Sequence, residues 1–289
     1  MRIVSLLPSS TEILFAIGAG DDVAGVTHEC DYPPEATSRP QLTSSALPHV
    51  RSSAEIDRHV RASLHAGSSL YHLDSDLLER LQPDLIVTQE LCAVCAVSYE
   101  IVATAAKRLR GDPRMVSLEP SSLDDVFSTI TLLGELTHRQ AGAASLLTHL
   151  RERVERLREA AALRTEKPRV LVLEWTDPPM SGGHWTPGLV ELAGGIPVLG
   201  NPGANSHVLS WDAIAAADPD LVVVAPCGFD LEKTHEAIAQ APQLAAYRVF
   251  PMDGNAYLNR PGPRLVDTAE IMAAATAAWP QSAATQSQA

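Results

Sequence analysis

Two segments of this chain nearly superimpose: Gln82-Pro83-Asp84-Leu85-Ile86-Val87 and Asp218-Pro219-Asp220-Leu221-Val222-Val223. Arg2-Ile3-Val4 and Arg169-Val170-Leu171 correspond in the same way, and each leads toward a helical pattern that ends in glycine. An internal repeat at about 135–167 residues is far longer than the ~20–50-residue units of a solenoid. It predicts two similar lobes, as does a length of 289 residues at about 150 per domain.

Apolar runs of strand length alternate with helical patterns, the signature of parallel α/β units. In the first half, residues 2–7 read as a strand. Ser9, Ser10 and Thr11 read as caps of a helix through Ile13, Leu14 and Ile17, and Gly18 and Gly20 end it. Strands follow at 23–26, 85–88 and 116–118, with a helix over 73–81 that Pro83 stops. In the second half, strands are expected at 169–173, 196–199 and 221–225, with helices over 187–193 and 211–217. Between the halves, Val126, Ile130, Leu133, Leu146, Leu147, Leu150, Val154 and Leu157 recur at three and four. That predicts a long bridging helix, with one break near Thr137. The expected organisation is an N-terminal α/β lobe over 1–120, a bridging helical region over 121–165, a C-terminal α/β lobe over 166–280, and a disordered tail over 281–289. A helix is stiffer than a Gly/Ser linker, so large hinge closure is not expected.

Composition narrows the function. The chain is 45% hydrophobic, 20% charged and carries a net charge of −13. With no Lys/Arg cluster, it has no footprint for nucleic acid or an anionic membrane. Its apolar runs fall well short of the ~18 residues that a membrane span needs. Residues 1–7 run straight into a strand pattern without a basic leader or an apolar signal core. The expected location is therefore cytoplasmic, or periplasmic for a chain trimmed at its start. Four cysteines in such a chain read as thiols or metal ligands, not as a disulfide framework.

Several motifs, in order, carry a family resemblance. They are Leu6-Leu7-Pro8-Ser9-Ser10-Thr11-Glu12-Ile13-Leu14-Phe15-Ala16-Ile17-Gly18, Gly25-Val26, Asp31-Tyr32-Pro33-Pro34-Glu35-Ala36 and Pro83-Asp84-Leu85-Ile86-Val87. Asp177-Pro178-Pro179, Leu192-Ala193-Gly194-Gly195 and Arg260-Pro261-Gly262-Pro263-Arg264 follow. The chain resembles, over nearly its whole length, the helical-backbone (class III) substrate-binding proteins of cobalamin and iron-siderophore importers, and within them the cobalamin binders most. The resemblance implies two Rossmann-like lobes with parallel sheets, one long connecting helix and a ligand cleft between the lobes. It implies a small-molecule ligand, preferably a cobalamin-like corrinoid or another metal-bearing cofactor. Where cobalamin binders place an aromatic after the second strand, this chain has His28-Glu29-Cys30, and there is no tryptophan around residues 44–47. Tyr257 preserves one aromatic near the C-terminal cleft loop.

Ligands of parallel α/β lobes gather beyond the carboxyl ends of strands, and every cysteine is expected there. Cys30 follows the second strand, Cys92 and Cys95 follow 85–88, and Cys227 follows 221–225. A Cys-x-x-Cys pair with two distant cysteines suits zinc or an iron–sulfur cluster, and His28 can replace one ligand. Cys92-Ala-Val-Cys95 between strand and helix equally fits a thiol–disulfide motif. A third use is coordination of a metal carried by the ligand, through a thiolate or His28; a fourth reading is inert, buried thiols.

Glu174-Trp175 and His184-Trp185 form a second group. Two indoles at a strand end suit a large planar ligand; the plain alternative is that one tryptophan packs into its lobe. Pro8 and Ser9 open a turn whose N–H groups can receive an anionic or amide group, although capping explains it too. Arg260 holds a carboxylate or phosphate, or makes a surface salt bridge. Gln89 precedes the Cys pair and lines the expected cleft. No Gly-x-Ser-x-Gly elbow, phosphate-cradling loop or His-Glu-x-x-His helix is present, so the residues point to binding more than to catalysis. The rival reading is a metalloprotein or redox enzyme holding zinc or an iron–sulfur cluster. A transporter partner would require export or an anchor.

Overall fold

A carboxylate at the start of one strand and a free N–H at the start of its neighbour organise each sheet. The computed structural model describes residues 1–46, 52–65, 69–89, 99–109 and 111–279. It divides into one compact unit of Met1–Leu150 with Arg260–Pro263 and a second of Arg151–Asn259 with Arg264–Ala289. In chain order the first holds β1 (Ile3–Ser5), α1 (Pro8–Ala16), β2 (Val23–Val26), β3 (Thr43–Ser45), α2 (Ser53–His65) and β4 (Tyr71–Leu73). Then come α3 (Ser75–Leu81), β5 (Leu85–Thr88), α4 (Tyr99–Ala106), β6 (Arg114–Ser117) and α5 (Leu123–Leu136). The boundary between the units falls within α6 (Gln140–Ala162).

The second unit continues with β7 (Arg169–Thr176), β8 (Pro179–Ser181), β9 (Gly183–His184), α7 (Thr186–Leu192), β10 (Ile196–Pro197) and β11 (Asn201–Pro202). It ends with α8 (Trp211–Ala217), β12 (Leu221–Val224), α9 (Leu231–Ala239), β13 (Val249–Pro251) and α10 (Leu265–Ala277). The first unit's main sheet is parallel in the order β2-β1-β5-β6, and the second's is parallel in the order β10-β7-β12-β13, with β8 antiparallel to β7. The two orders are the same topology, so the internal repeat is a repeat of fold.

The repeated text has one physical meaning in both places. α3 and α8 each end on a left-handed residue, Gln82 at φ 45° and Asp218 at φ 44°. Proline follows each and bars the helix from continuing. The next residue is the clamp. Asp84 Oδ2 accepts the Arg2 N–H at 2.7 Å, and Asp220 Oδ2 accepts the Arg169 N–H at 2.7 Å. In return the Asp84 N–H donates to Arg2 O and the Asp220 N–H to Arg169 O, both at 2.8 Å. Each clamp sets the register in which β5 meets β1 and β12 meets β7.

Beyond the clamps, β5 and β12 are buried at every position, which is why they read as unbroken Val/Ile/Leu runs. Each such side chain removed from water contributes roughly 1.5–3 kcal/mol. The cores gather around Val4, Leu6, Leu78 and Ile86 in the first unit and Leu171, Ile214, Val222 and Leu244 in the second.

Three local expectations are corrected. Ser9, Ser10 and Thr11 do not cap α1; Pro8 occupies its first turn and Leu7 is the N-cap, without a side-chain bond. Proline suits that position because its missing N–H would be unpaired there anyway. The strand expected over 2–7 shortens to β1, although the Leu6 N–H still donates to Val87 O at 2.8 Å. The antiparallel β3/β4 pair and the parallel β9/β11 pair are too short to show a period. The break near Thr137 is present: α5 ends there, and His138 at φ 58° precedes α6.

α6 can approach α1 only because of a glycine. A Cβ at Gly142 would lie 2.2 Å from Ile17 O, whereas one at Gly188 in α7 would meet nothing within 4 Å. Gly142→Ala should therefore lower the Tm by several degrees, since overpacking against backbone costs about 1–3 kcal/mol. Gly188→Ala should leave the Tm unchanged or slightly raised; calorimetry of both variants checks this.

Candidate functional site

In the first unit the chain leaves β2 through Thr27, His28, Glu29 and Cys30. A bridge from Val26 to Gln41 and a bond from Leu42 N–H to Val26 O bring the start of β3 beside this turn. Both the His28 backbone N–H, at 3.2 Å, and His28 Nδ1, at 2.7 Å, meet Thr43 Oγ1. The imidazole also lies against the Tyr71 ring, with centroids 5.8 Å apart. The Tyr71 hydroxyl donates to Glu29 Oε1 at 3.3 Å. Burial pushes the Glu29 carboxyl above its ordinary pKa, against the opposing pull of His28, Tyr71 and Arg260.

Cys30 is enclosed, 1% exposed. Its sulfur meets Thr11 Oγ1 at 3.1 Å and Thr27 Oγ1 at 3.2 Å, and burial pushes the thiol pKa up. That burial favours the thiol over the thiolate, and the thiolate is the form that attacks and ligates. Arg260 belongs to the first unit by packing. Its guanidinium donates to the Asp31 carboxylate and, at 3.1 Å, to Glu29 O, and it lies 3.5 Å from Glu12 Oε1. Of the two readings of Arg260 the salt bridge is the one formed, but it is buried, with side-chain exposure of 6% for Arg260 and 2% for Glu12. Pro8 is half-buried, and Ser9 and Gln89 are buried.

In the second unit Glu174, at the end of β7, gathers three donors. Its carboxylate accepts from the Gly183 N–H at 3.3 Å, from Thr186 Oγ1 at 2.9 Å and from Ser206 Oγ. Burial nevertheless raises its pKa. Glu174 thereby ties three segments together. Trp175 is half-buried; its Nε1–H donates to Asp177 O at 3.1 Å, and its ring tilts against Phe229 at 5.2 Å. Trp185 is the tryptophan that packs into its unit: it is 9% exposed and its Nε1–H donates to Leu258 O at 2.9 Å. The His184 ring stacks on it at 5.6 Å. His184 stands at φ 47°, and its Nδ1 is enclosed without a hydrogen bond. Burial lowers its pKa, which favours the neutral imidazole. Cys227 is exposed just past β12, and its N–H donates to Glu174 O at 3.1 Å. Tyr257 is half-buried, under the Arg264 guanidinium at 5.7 Å.

Cys92 and Cys95 lie outside the described residues, as do Glu90, His49 and the tail over 281–289. Among the described residues no group of three or more His, Cys, Asp or Glu side chains is placed to hold a metal ion. His28, Cys30 and Cys227 therefore give no support to a zinc or iron–sulfur site, and the thiol–disulfide reading of Cys92 and Cys95 falls on residues outside those described. The first-unit residues that sequence reasoning missed are Thr43 and Tyr71, which reach His28 from distant strands. In the second, Phe229 and Ser206 were missed for the same reason. No local pattern marks any of them.

A family model described as periplasmic binding protein matches residues 3–248. The chain belongs to the periplasmic binding protein family. It is 21% identical over 282 residues to a vitamin B12-binding protein of Vibrio cholerae serotype O1, a match covering 93% of this chain and 86% of that one. It is 23% identical to the ABC transporter substrate-binding lipoprotein YvrC of Bacillus subtilis, covering 94% and 78%. Its fold matches the periplasmic heme-binding protein RhuT of Roseiflexus sp. RS-1 with a TM-score of 0.69 at 23% identity, over 95% and 97% of the two chains.

Membership in this solute-binding family overturns the cytoplasmic location expected from residues 1–7. The proteins it resembles are periplasmic or are lipoproteins, and similarity along nearly the whole chain outweighs the pattern of a few residues at one end. No helix among the described residues is long and apolar enough to cross a membrane.

Two stability predictions test the polar anchors of this binding protein. Arg260→Met removes the guanidinium that faces Glu12 and should cost about 3–5 kcal/mol. The double variant Arg260→Met/Glu12→Leu should recover much of it, as read by urea denaturation. Glu174 holds its proton to higher pH when folded than when unfolded. Its contribution is complete below the ordinary carboxyl value of 4.5 and is lost as pH rises through the raised folded value. The Tm of Glu174→Gln, measured between pH 4.5 and 8, should therefore fall less steeply with pH than that of the natural chain.

Proposed function

We propose that this chain is an extracytoplasmic carrier that binds a cobalamin-like corrinoid, or another metal-bearing macrocycle, and hands it to an ABC importer. The observation that carries the reading is the near-full-length similarity to a vitamin B12-binding protein. The side chains at the strand ends agree with it. Trp175 offers a half-buried indole with its N–H already bonded, which leaves its face for apolar contact with a flat ligand. His184 and Tyr257 are half-buried on the same unit, and Cys227 is exposed. On the first unit, Pro8, Ser9, His28, Glu29 and Gln89 are assigned to the ligand, with Glu29 carrying a carboxyl whose pKa burial raises. Glu174, Trp185, Cys30 and Arg260 support these residues through packing and hydrogen bonds. No step of covalent chemistry is assigned to any of them.

The purified protein, incubated with hydroxocobalamin and desalted, should retain about one equivalent by its visible absorption. Trp175→Ala should weaken retention roughly tenfold, the order expected from losing one aromatic contact face, with a small change in Tm. A protein that retains hemin and rejects hydroxocobalamin would move the assignment from corrinoid to haem. Retention of neither would overturn the reading.

A further inference from the structure

His28 stands where the sequence suggested a metal ligand, and one hydroxyl decides which of its ring nitrogens carries the proton. A threonine hydroxyl has one hydrogen to give and two lone pairs to accept with. Thr43 Oγ1 accepts the His28 backbone N–H at 3.2 Å and lies 2.7 Å from His28 Nδ1. Thr43 is 7% exposed, and Nδ1 is the acceptor its hydroxyl hydrogen meets among the described residues. Pointing that hydrogen elsewhere would waste a buried donor, which folded proteins avoid. Nδ1 is therefore the acceptor, and in the neutral ring the proton sits on Nε2.

That assignment reverses the role of His28. An imidazole that binds a metal through Nε2 needs a lone pair there and gives its other N–H to an acceptor. Here Nδ1 receives a hydrogen, and Nε2 carries one. Nε2 makes no hydrogen bond to the described residues, and His28 is half-buried. The Tyr71 ring flanks the imidazole at 52°, and its hydroxyl is committed to Glu29. The turn after β2 thus presents one oriented N–H donor.

We propose that His28 is a specificity residue that donates its Nε2–H to an acceptor oxygen on the rim of the bound macrocycle, an amide carbonyl or a carboxylate, and does not coordinate the metal. The inference rests on the ligand class proposed above and adds to it how that ligand is read. Thr43 is the positioning residue, because its hydroxyl holds the tautomer.

The test has two parts. Long-range proton–nitrogen spectra of the free protein at pH 8, with His28 assigned by the loss of its signals in His28→Gln, should show Nδ1 bare and Nε2 protonated. Thr43→Val should move the His28 signals toward a tautomer mixture. A protonated Nδ1 in the natural chain overturns the inference whatever the ligand does. The second part titrates hydroxocobalamin and hemin separately into two variants. His28→Gln keeps an N–H donor near the position of Nε2, and His28→Met keeps a metal-binding atom with no donor. The expected result is affinity within about threefold of the natural chain for His28→Gln and a loss of roughly tenfold for His28→Met, the scale of one hydrogen bond. The visible bands of the bound pigment should be the same in all three. A loss seen with hydroxocobalamin assigns the amide carbonyls, and a loss seen with hemin assigns the carboxylates. The opposite ranking, equal affinity in all three, or pigment bands that change in His28→Gln would overturn the donor role and leave the carrier reading standing. If the natural chain retains neither pigment, the carrier reading falls and this inference falls with it.

Discussion

Each sheet of this protein depends on a clamp at its amino-terminal edge. In the first unit it joins Asp84 to Arg2, and in the second Asp220 to Arg169, each through a pair of bonds between one aspartate and one strand-opening residue. A single hydrogen bond of this kind has a modest net value of about 0.5–1.5 kcal/mol, so the clamp is not what makes the sheets stable. Its effect is on register. A parallel strand that is buried on both faces has no polar alternation to tell one register from the next, and β5 and β12 are such strands. Fixing the first residue fixes where each strand ends, and the strand ends are where the candidate ligand residues stand.

Beyond the other ends of those strands, polar groups are held by each other. Thr11, Thr27 and Cys30 form one buried set, Arg260 with Glu12 and Asp31 a second, and Glu174 with Gly183, Thr186 and Ser206 a third. Buried polar groups cost most when half-satisfied, and these sets leave few atoms unpaired. Outside them, Thr88 Oγ1 at the end of β5 and His184 Nδ1, on a residue of positive φ, are enclosed with no hydrogen-bond partner. Strain and an unpaired polar atom together at a strand end are what a binding surface tolerates and a core does not.

Legibility differed between fold and site for a physical reason. The repeat around Pro83 and Pro219 is local: left-handed cap, proline, aspartate and apolar run occupy adjacent residues, so it can be read as text. The break near Thr137 is local as well. The roles of individual strand-end residues are not. Trp175 and Trp185 look equivalent in sequence, yet one is half-buried and the other is enclosed with its N–H on Leu258. Cys30 looked like a ligand because it follows a strand; two hydroxyls from Thr11 and Thr27 close over it. His28 read as one alternative metal ligand, and its contact through Nδ1 with Thr43, on a strand too short to show a period, left no local sign.

The sequence by itself determined the two-fold parallel α/β plan, the helical stretch with its interruption at Thr137, and a family resemblance that runs through the whole chain. These rest on periodicity, caps and prolines, which act over a few residues. Tertiary structure alone decided which strand-end side chains are open and which are spent on neighbours, the burial of Arg260 against Glu12, the raised carboxyl of Glu174 and the contact of His28 Nδ1 with Thr43. Those depend on partners brought from tens or hundreds of residues away, and hydrogen bonding and desolvation act through space, where sequence order carries no distance.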